Sequence, residues 1–491
     1  MSSTIRRVGP DESSPDGDGA ESGSGGAGAK AAPDDHSFAS GARILSIGIA
    51  STGLFTFAYL AAASHVLDKA SYSRISLCWA IMFVILSVIY RPIEQLLSRT
   101  IADRRARGLK DHSLRVPAAI QGTFAAVFLI AALALRHTIE HGMFNGSSTL
   151  YWILVVGVMA YAASYFARGW LAGHQRFALY GGLVFLEATS RFLFALAAVV
   201  GIGSGQGVVG LGMAVAPFAS LAVIPFAFAH LRGGPEAPAG VPAADAAREG
   251  PAHGALEEAT TDLSLRGGAG FAAAVVGIML SEQTLMNAGV LIVAARAGGA
   301  DSLTSGLVGF VFNVMLIVRA PLQLFQAIQT SILPHLAGLE ARESADEFHR
   351  AIRITVLAIA GFGLAVALGL LVIGPPVMTA FLGNKGFTYG RVGLAVVGLG
   401  MGLHLISGTL NQAALARGRA LWASGSWLVS AALFVVFVAT GGRGAHAEVT
   451  RVEYGYFLAT AVLCVLLWAL YRRGPAERAP QRAPTADAIR A

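Results

Sequence analysis

Runs of about twenty consecutive apolar residues, the length needed to cross a hydrocarbon core, recur from residue 44 to residue 472. They fall roughly at 44–66, 73–98, 116–136, 150–168, 181–203, 208–231, 268–295, 305–331, 352–374, 391–414, 421–440 and 454–472, giving twelve expected transmembrane helices. Composition agrees: 55% of the 491 residues are hydrophobic and only 13% charged, about half the charged share of an ordinary soluble chain. Too few ionic groups remain to solvate a surface of this size. The net charge of +7 does not point to nucleic acid, because the arginines sit in short loops between apolar runs and not in one soluble block. Cys78 and Cys464 both lie inside apolar runs, which fits neither a disulfide framework nor a zinc site.

Charge orients the spans. Arg99, Arg104, Arg105, Arg107, Lys110, Arg115, Arg342, Arg350, Arg353, Arg417, Arg419, Arg472, Arg473 and Arg478 cluster on one side; Lys69, Arg74, Arg136, Arg296, Lys385, Arg391, Arg443 and Arg451 scatter on the other. The positive-inside rule then places both termini in the cytoplasm of a bacterial plasma membrane, in agreement with an even number of spans. Residues 1–42, rich in Gly, Ser and Ala, are expected to be a disordered cytoplasmic tail, and 473–491 a second one. A Pro/Ala/Gly/Glu-rich stretch at 233–266 reads as a cytoplasmic linker between an N-lobe, 43–232, and a C-lobe, 267–472.

The halves echo each other. Arg91-Pro92-Ile93-Glu94-Gln95 in span two is matched by Ala320-Pro321-Leu322-Gln323-Leu324 in span eight. Leu171-Ala172-Gly173-His174-Gln175-Arg176 after span four is matched by Leu415-Ala416-Arg417-Gly418-Arg419 after span ten. Six-span repeats keep one orientation and are related by an axis along the membrane normal, as in alternating-access transporters. With 59 glycines, close helix packing through small residues is also expected, and Gly201–Gly205 and Gly398–Gly402 have the spacing for it.

The chemistry resides in ionisable groups at membrane depth. Glu187 and Arg191 fall in span five, Glu282 in span seven and Arg319 in span eight. At about 2.5–3.5 kcal/mol each, exposing four such charges to lipid would cost roughly 10–14 kcal/mol, so they face the protein interior. Glu187 and Arg191, four apart on one helix face, form either a self-neutralising pair or an arginine held for an anionic substrate with Glu187 as its counter-ion. Glu282 has no basic residue at helical spacing in its own span. It pairs with an arginine of another helix, Arg319 among them, or titrates and couples a cation, or simply lines a cavity. Gln283 and Asn287 add a polar stripe beside it. Arg91, Glu94 and Gln95 share a face of span two, with Pro92 as a kink, and Arg319 and Gln323 share one in span eight, with Pro321 as the corresponding kink. His404, Asn411 and Gln412 are weaker candidates. No phosphate-binding loop and no His-Glu-x-x-His pair occurs, so neither ATP hydrolysis by this chain nor zincin-type chemistry is expected.

Pro92-x-Glu94…Arg99 with its basic loop, Leu171-x-Gly173-x-x-Arg176-Phe177, Glu187-x-x-x-Arg191, Ser281-Glu282-Gln283…Asn287-Ala288-Gly289 and Leu410-Asn411-Gln412…Ala416-Arg417-Gly418 resemble those of polysaccharide flippases. These are the Wzx-type lipid-linked oligosaccharide translocases of the multidrug/oligosaccharidyl-lipid/polysaccharide (MOP) exporter superfamily. The resemblance spans about residues 40–472. It implies an all-α protein of two six-helix lobes in a V around a central cavity. It also implies movement of a polyprenyl-diphosphate-linked saccharide to the outer leaflet, driven by an H+ or Na+ gradient and without a cofactor or enzymatic chemistry. In this reading Arg91, Arg191, Arg319, Gln323 and Asn287 contact the substrate. Glu282, Glu187 and Glu94 serve as ion-coupling or counter-ion groups, and Pro92 and Pro321 as hinges. Membrane lipid and the glycosyltransferases or polymerase of the same pathway are the expected partners. Two features set the chain apart within the superfamily. Drug antiporters of the MATE type usually carry a carboxylate in the first helix, whereas 44–66 has no Asp or Glu; lipid II flippases have two further C-terminal spans. The competing readings are a drug or amphiphile:cation antiporter of the same fold, a membrane-embedded glycan polymerase or ligase, and an envelope scaffold with a degenerate transport path.

Overall fold

The computed structural model describes residues 34–106, 114–225, 265–296, 305–322, 345–442 and 444–473. All regular structure among them is helical. In chain order the helices are α1 (Asp34–Val66), α2 (Lys69–Ile85), α3 (Arg91–Ala106), α4 (Arg115–Ala134), α5 (Ser148–Gly173), α6 (Phe177–Val199) and α7 (Gly205–Leu221) in the first half. The second half holds α8 (Leu265–Arg296), α9 (Leu307–Leu322), α10 (Ala345–Leu382), α11 (Arg391–Ala416), α12 (Ala420–Ala439) and α13 (Ala445–Arg472). Because α2 and α3 are one continuous rod, these helices make twelve rods among the described residues, each overlapping a predicted span. Nine are long and apolar enough to cross a membrane by length and composition, and α7 and α9 are shorter apolar helices. The protein is an all-α, multi-pass membrane protein.

Contacts divide the chain into Met1–Ser40 and Gly41–Ala491. Of the first unit, residues 34–40 are described and helical. Residues 34–42 of the tail expected at 1–42 are thus helical. Residues 233–264 of the expected linker, residues 474–491 and Gln323 lie outside the described residues. In the second unit, each half packs mainly within itself: α5 against α3 and α7, and α6 against α7; α11 against α10 and α13, and α12 against α8 and α13. The main seam between the halves is α8 lying on α2 and on the π turn that follows it.

That π turn, Leu86–Tyr90, has a sequence cause. Pro92 has no N–H to give and its ring crowds the carbonyl four residues back, so the ladder widens just before it, and the Arg91 N–H reaches Leu86 O. The kink expected at Pro92 is this widened turn. Pro321 lies in the last described turn of α9, and the chain beyond Leu322, where its expected kink would be read, is outside the described residues.

The sequence echo at the ends of α5 and α11 is a shared backbone motif. Arg176 N–H donates to Leu171 O and Gln175 N–H to Ala172 O; Arg419 N–H donates to Ala414 O and Gly418 N–H to Leu415 O. Both helices close with the same paired six-to-one and five-to-two bonds, and the left-handed residue is Gln175 (φ 57°) in one half and Gly418 (φ 69°) in the other. Spans four and ten share this ending, and α6 has it too, with Ile202 N–H donating to Ala197 O and Gly201 N–H to Ala198 O.

Small residues set the closest helix approaches, but not all where expected. Gly402 lies so close to Gly363 of α10 that a Cβ on Gly363 would fall 2.8 Å from Gly402 Cα. Gly201 and Gly205 are turn residues with φ of 79° and 80°-range left-handed geometry (83°), not packing residues. A tight pair not anticipated, Gly169 and Gly173 on α5, meets α3 at Glu94 O and Ile101. Gly363→Val should accordingly lower the thermal midpoint in detergent by an overpacking cost of about 1–3 kcal/mol. Gly361→Val, two residues along the same helix with nothing within 4 Å, should leave it near wild type.

Candidate functional site

The seam between the halves carries a set of charges that begins deep in the first half and ends on α8. Glu187 of α6 sits at the inner end. Its carboxylate is shared between two arginines: Arg191, four residues on, donates to Oε1 at 3.0 Å, and Arg168 of α5 forms an ion pair with Oε2. Ser164 Oγ adds a longer contact to Oε2 at 3.4 Å. Arg191 is 2% exposed; it also donates to the Tyr161 hydroxyl at 2.8 Å and lies over the Trp79 ring, 4.9 Å from its centre. The Arg168 guanidinium lies 4.6 Å from the centre of the Tyr165 ring. Two guanidiniums around one carboxylate, faced with aromatic rings, are packed as a buried ion cluster. Both readings of the Glu187–Arg191 pair share this geometry: Glu187 holds Arg191 within the first half, as a structural partner in the one and as the resting counter-ion of a substrate arginine in the other.

Glu94 of α3 continues the set toward the seam. It accepts a hydrogen bond from the Tyr180 hydroxyl of α6 at 2.7 Å, and the charges of Arg168 and Arg91 act on it. Arg91, at the first turn after the π turn, is the cation that acts on Glu282 across the seam. Glu282 itself makes no hydrogen bond or ion pair among the described residues. Arg168 and Arg191 pair with Glu187, and the charge of Arg91 acts on Glu94 and on Glu282 without an ion pair among the described residues, so the set runs from α6, α5 and α3 to α8.

Arg319 of α9 stands apart. The expected alternative, a pair with Glu282, is not formed. Arg319 Nη2 donates to Asn287 Oδ1 at 2.6 Å and to Met286 O at 3.2 Å, and its guanidinium lies 4.6 Å from the centre of the Phe312 ring. Asn287 is fixed for this by its own amide, which donates to Gln283 O and Gln283 Oε1, each at 3.1 Å. The Gln283–Asn287 stripe read from the sequence therefore orients Arg319. No carboxylate lies within ion-pair reach of Arg319 among the described residues, and its buried Nε has no partner there.

His404 of α11 is 2% exposed and bonded through Nδ1 to the Tyr456 hydroxyl at 2.8 Å, with Trp427 packed against it in a T. Asn411 accepts from Trp427 Nε1 at 3.1 Å. These two join α11 to α12 and α13.

Arg168 and its aromatic neighbours were missed by the sequence reading. The signal was present: Tyr161, Tyr165 and Arg168 recur at four and three residues, one stripe of an α5 that also presents Ser164. Arg168 stood at the end of a predicted span, where arginines commonly snorkel to the interface, and only the extension of the helix to Gly173 puts it inside.

No protein-family model matches the chain, and no curated protein sequence matches it. Solved structures do. A multidrug resistance MATE family transporter of the MOP superfamily matches in its inward-facing conformation with a TM-score of 0.59 at 12% identity, covering 87% of this chain and 97% of that one. The outward-facing conformation matches with a TM-score of 0.59 at 13% identity, covering 88% and 94%. The Vibrio cholerae MATE transporter VcmN in the bent form matches with a TM-score of 0.53 at 14% identity, covering 89% and 98%. The fold is that of the MATE transporters, two six-helix lobes related by a pseudo-two-fold axis, over nearly their whole length.

The Glu187 cluster makes an ordered prediction about stability. Glu187→Gln leaves two buried guanidiniums without their carboxylate, whereas Arg191→Met leaves the Arg168–Glu187 pair intact. Glu187→Gln should be the more damaging, by an amount on the order of 3 kcal/mol, read as the larger drop in thermal midpoint of purified protein.

Proposed function

We propose that this chain is a secondary transporter of the MOP type that flips a polyprenyl-diphosphate-linked saccharide from the inner to the outer leaflet of a bacterial plasma membrane, by alternating access. The observation that carries the reading is Arg319: a guanidinium at membrane depth, oriented by Asn287, with neutral partners alone among the described residues. Other interior arginines of the seam are balanced by carboxylates. A cation kept without a counter-charge in a low-dielectric site is suited to an anion that arrives with the substrate, and a diphosphate offers two oxygens to its planar fork. Arg91, shared between Glu94 and Glu282, is the second cation a diphosphate would meet, and Asn287 and Gln323 the polar groups for its sugar. The likeness to MATE structures supports the transporter fold, and the flippase resemblance of the Glu187, Glu282 and Leu410–Gly418 motifs supports the substrate class.

Glu282 is the coupling group in this reading. It lies on the helix that joins the halves, faces Arg91 of the other half and has no hydrogen-bond donor among the described residues. A cation or proton bound there in one arrangement of the halves and not in the other biases the equilibrium between them by that difference in affinity. The positive-inside asymmetry of the loops supports a topology with both termini in the cytoplasm.

A second reading, a drug or amphiphile:cation antiporter, is favoured by the proteins whose folds match. The first span speaks for the flippase, because 44–66 has no carboxylate to bind a cationic drug or its counter-ion.

Proteoliposomes separate the two. With a fluorescent polyprenyl-diphosphate saccharide in the inner leaflet, wild type should expose the label to an external quencher. Arg319→Gln should slow this roughly ten- to hundredfold, the worth of a charge-assisted hydrogen bond, and Arg319→Lys should retain part of the rate. Undiminished flipping by Arg319→Gln would remove the anion role. Efflux of a cationic dye with no saccharide flipping would establish the antiporter. Glu282→Gln should bind the saccharide yet lose its response to an imposed pH or sodium gradient.

A further inference from the structure

At the end of the bundle that carries the α1–α2 and α10–α11 loops, the two halves cap each other's helix ends. α1 stops at Val66 and α10 at Leu382, each leaving carbonyls without intrahelical partners. Lys385, from the second half, inserts its ammonium beneath α1 and donates to Ser64 O and, at 3.4 Å, to Leu67 O, while lying 4.5 Å from the centre of the Tyr72 ring. In return Ser64, from the first half, donates its hydroxyl to Leu382 O. Asn313 of α9 completes the arrangement. Its amide donates to Leu382 O and to the Tyr389 hydroxyl, each at 3.2 Å, and its Oδ1 accepts from the Tyr72 hydroxyl at 2.5 Å. Ser73 Oγ accepts from Gly309 N–H at 3.1 Å.

The 383–390 loop is bent to make this fit. Gly383, Lys385 and Gly386 all have left-handed backbone, with φ of 64°, 52° and 89°. A lysine held there is disfavoured unless its surroundings over-determine it. Gly306 approaches so closely that a Cβ on it would lie 2.7 Å from Lys385 O. Lys385 is 8%, Ser64 2%, and Asn313 and Tyr72 0% exposed. A surface lysine is seldom strained, buried and bonded to carbonyls of another part of the chain by accident of packing.

We propose that this reciprocal capping is the latch that holds the two halves together at this end, and that withdrawal of Lys385 from the end of α1 is the step that lets this end open. The inference rests on the alternating-access reading but not on the identity of the substrate. Opening must break all of these bonds together, and water then takes the place of each partner.

Protons act on the latch with a definite sign. Burial pushes the Lys385 ammonium down to about 8, with Asp68 opposing, and so outweighs the pull of the helix end. The charged groups facing it are Asp68 at the α2 N-cap and Lys69, whose side chain packs on Gly386, with Tyr72 and Tyr389 as the hydroxyls. Asp68, despite partial burial, is held below the ordinary carboxylate range by hydrogen bonds from Ser71 and Ala70 and by Arg74, and stays charged. Burial pushes Tyr389 up to about 12, and it stays neutral. Released into water, Lys385 returns to about 10.4. The open arrangement therefore holds its proton more tightly than the closed one. Raising the pH from about 8 toward 10 favours closure, the neutral amine still donating to Ser64 O, and protonation favours release.

Spin labels read this directly on the full chain in liposomes. Ile202→Cys, in the α6–α7 turn and 83% exposed, and Gly442→Cys, in the α12–α13 turn with no neighbour within 4 Å, lie at this end on opposite halves. They are introduced into a Cys78→Ala, Cys464→Ala background. Wild type should give mainly the short inter-label distance, and Lys385→Met should raise the ratio of long to short by about tenfold, the effect of one charge-assisted hydrogen bond. Between about pH 7.5 and pH 9.5 the short population should grow in wild type and in Lys69→Gln, and stay level in Lys385→Met. An unchanged distance distribution in folded Lys385→Met overturns the latch. Should that variant fail to fold, a wild-type distribution indifferent to pH over this range overturns it instead. None of these readings depends on saccharide transport, so failure of the proposed substrate leaves the latch standing, and the reverse.

Discussion

Hydrocarbon offers no hydrogen bonds, and the whole structure follows from that. Every backbone N–H and C=O at membrane depth has to be satisfied within its own segment, which leaves helices as the form of each span. Every charge has to be met by another protein group. Glu187 is met by Arg168 and Arg191, and the guanidiniums are faced with Trp79 and Tyr165. The chain carries these groups inward along a narrow set of helix faces, and those faces define the seam between its halves. At Arg319 the partners among the described residues are the neutral Asn287 side chain and Met286 carbonyl.

The same constraint governs the helix ends and the places where helices cross. A helix that stops at the membrane surface has carbonyls to satisfy, and this protein satisfies some of them across the seam, with Lys385 on α1 and Ser64 on α10, while Asn313 adds a bond to α10 from within the second half. Stability of each half is thereby linked to the arrangement of both. Inside the halves, glycine removes the side chain that would keep backbones apart, at Gly363 against Gly402 and at Gly169 and Gly173 against α3. The π turn before Pro92 does the opposite: it loosens one rod at the point where α8 of the other half lies on it. A stiff bundle with one loosened rod at its seam is suited to two arrangements of its halves.

The repeat is visible most clearly in backbone and not in side chains. α5 and α11 end in the same two bonds although one half puts Gln175 and the other Gly418 in the left-handed position. Side chains around it differ between the halves. The first half contains the Glu187 cluster, and the second, at Arg319, an arginine without a carboxylate.

The twelve spans, their order and the six-plus-six echo could be read from the sequence because hydrophobic length and Pro, Gly and Arg punctuation are local properties. The interior placement of Glu187, Arg191, Glu282 and Arg319 was legible for the same reason, since a charge inside an apolar run has nowhere else to go. Partners were not legible. That Glu187 belongs to Arg168 as well as Arg191, that Arg319 turns to Asn287 and not to Glu282, and that Arg91 is the cation facing Glu282 depend on rotations and crossings of helices far apart in the chain. Lys385 could not be picked out at all: in sequence it is one lysine in a short polar loop. Only the tertiary structure places it under the end of α1, because the ends of α1 and α10 each lack a hydrogen-bond partner that the other half supplies.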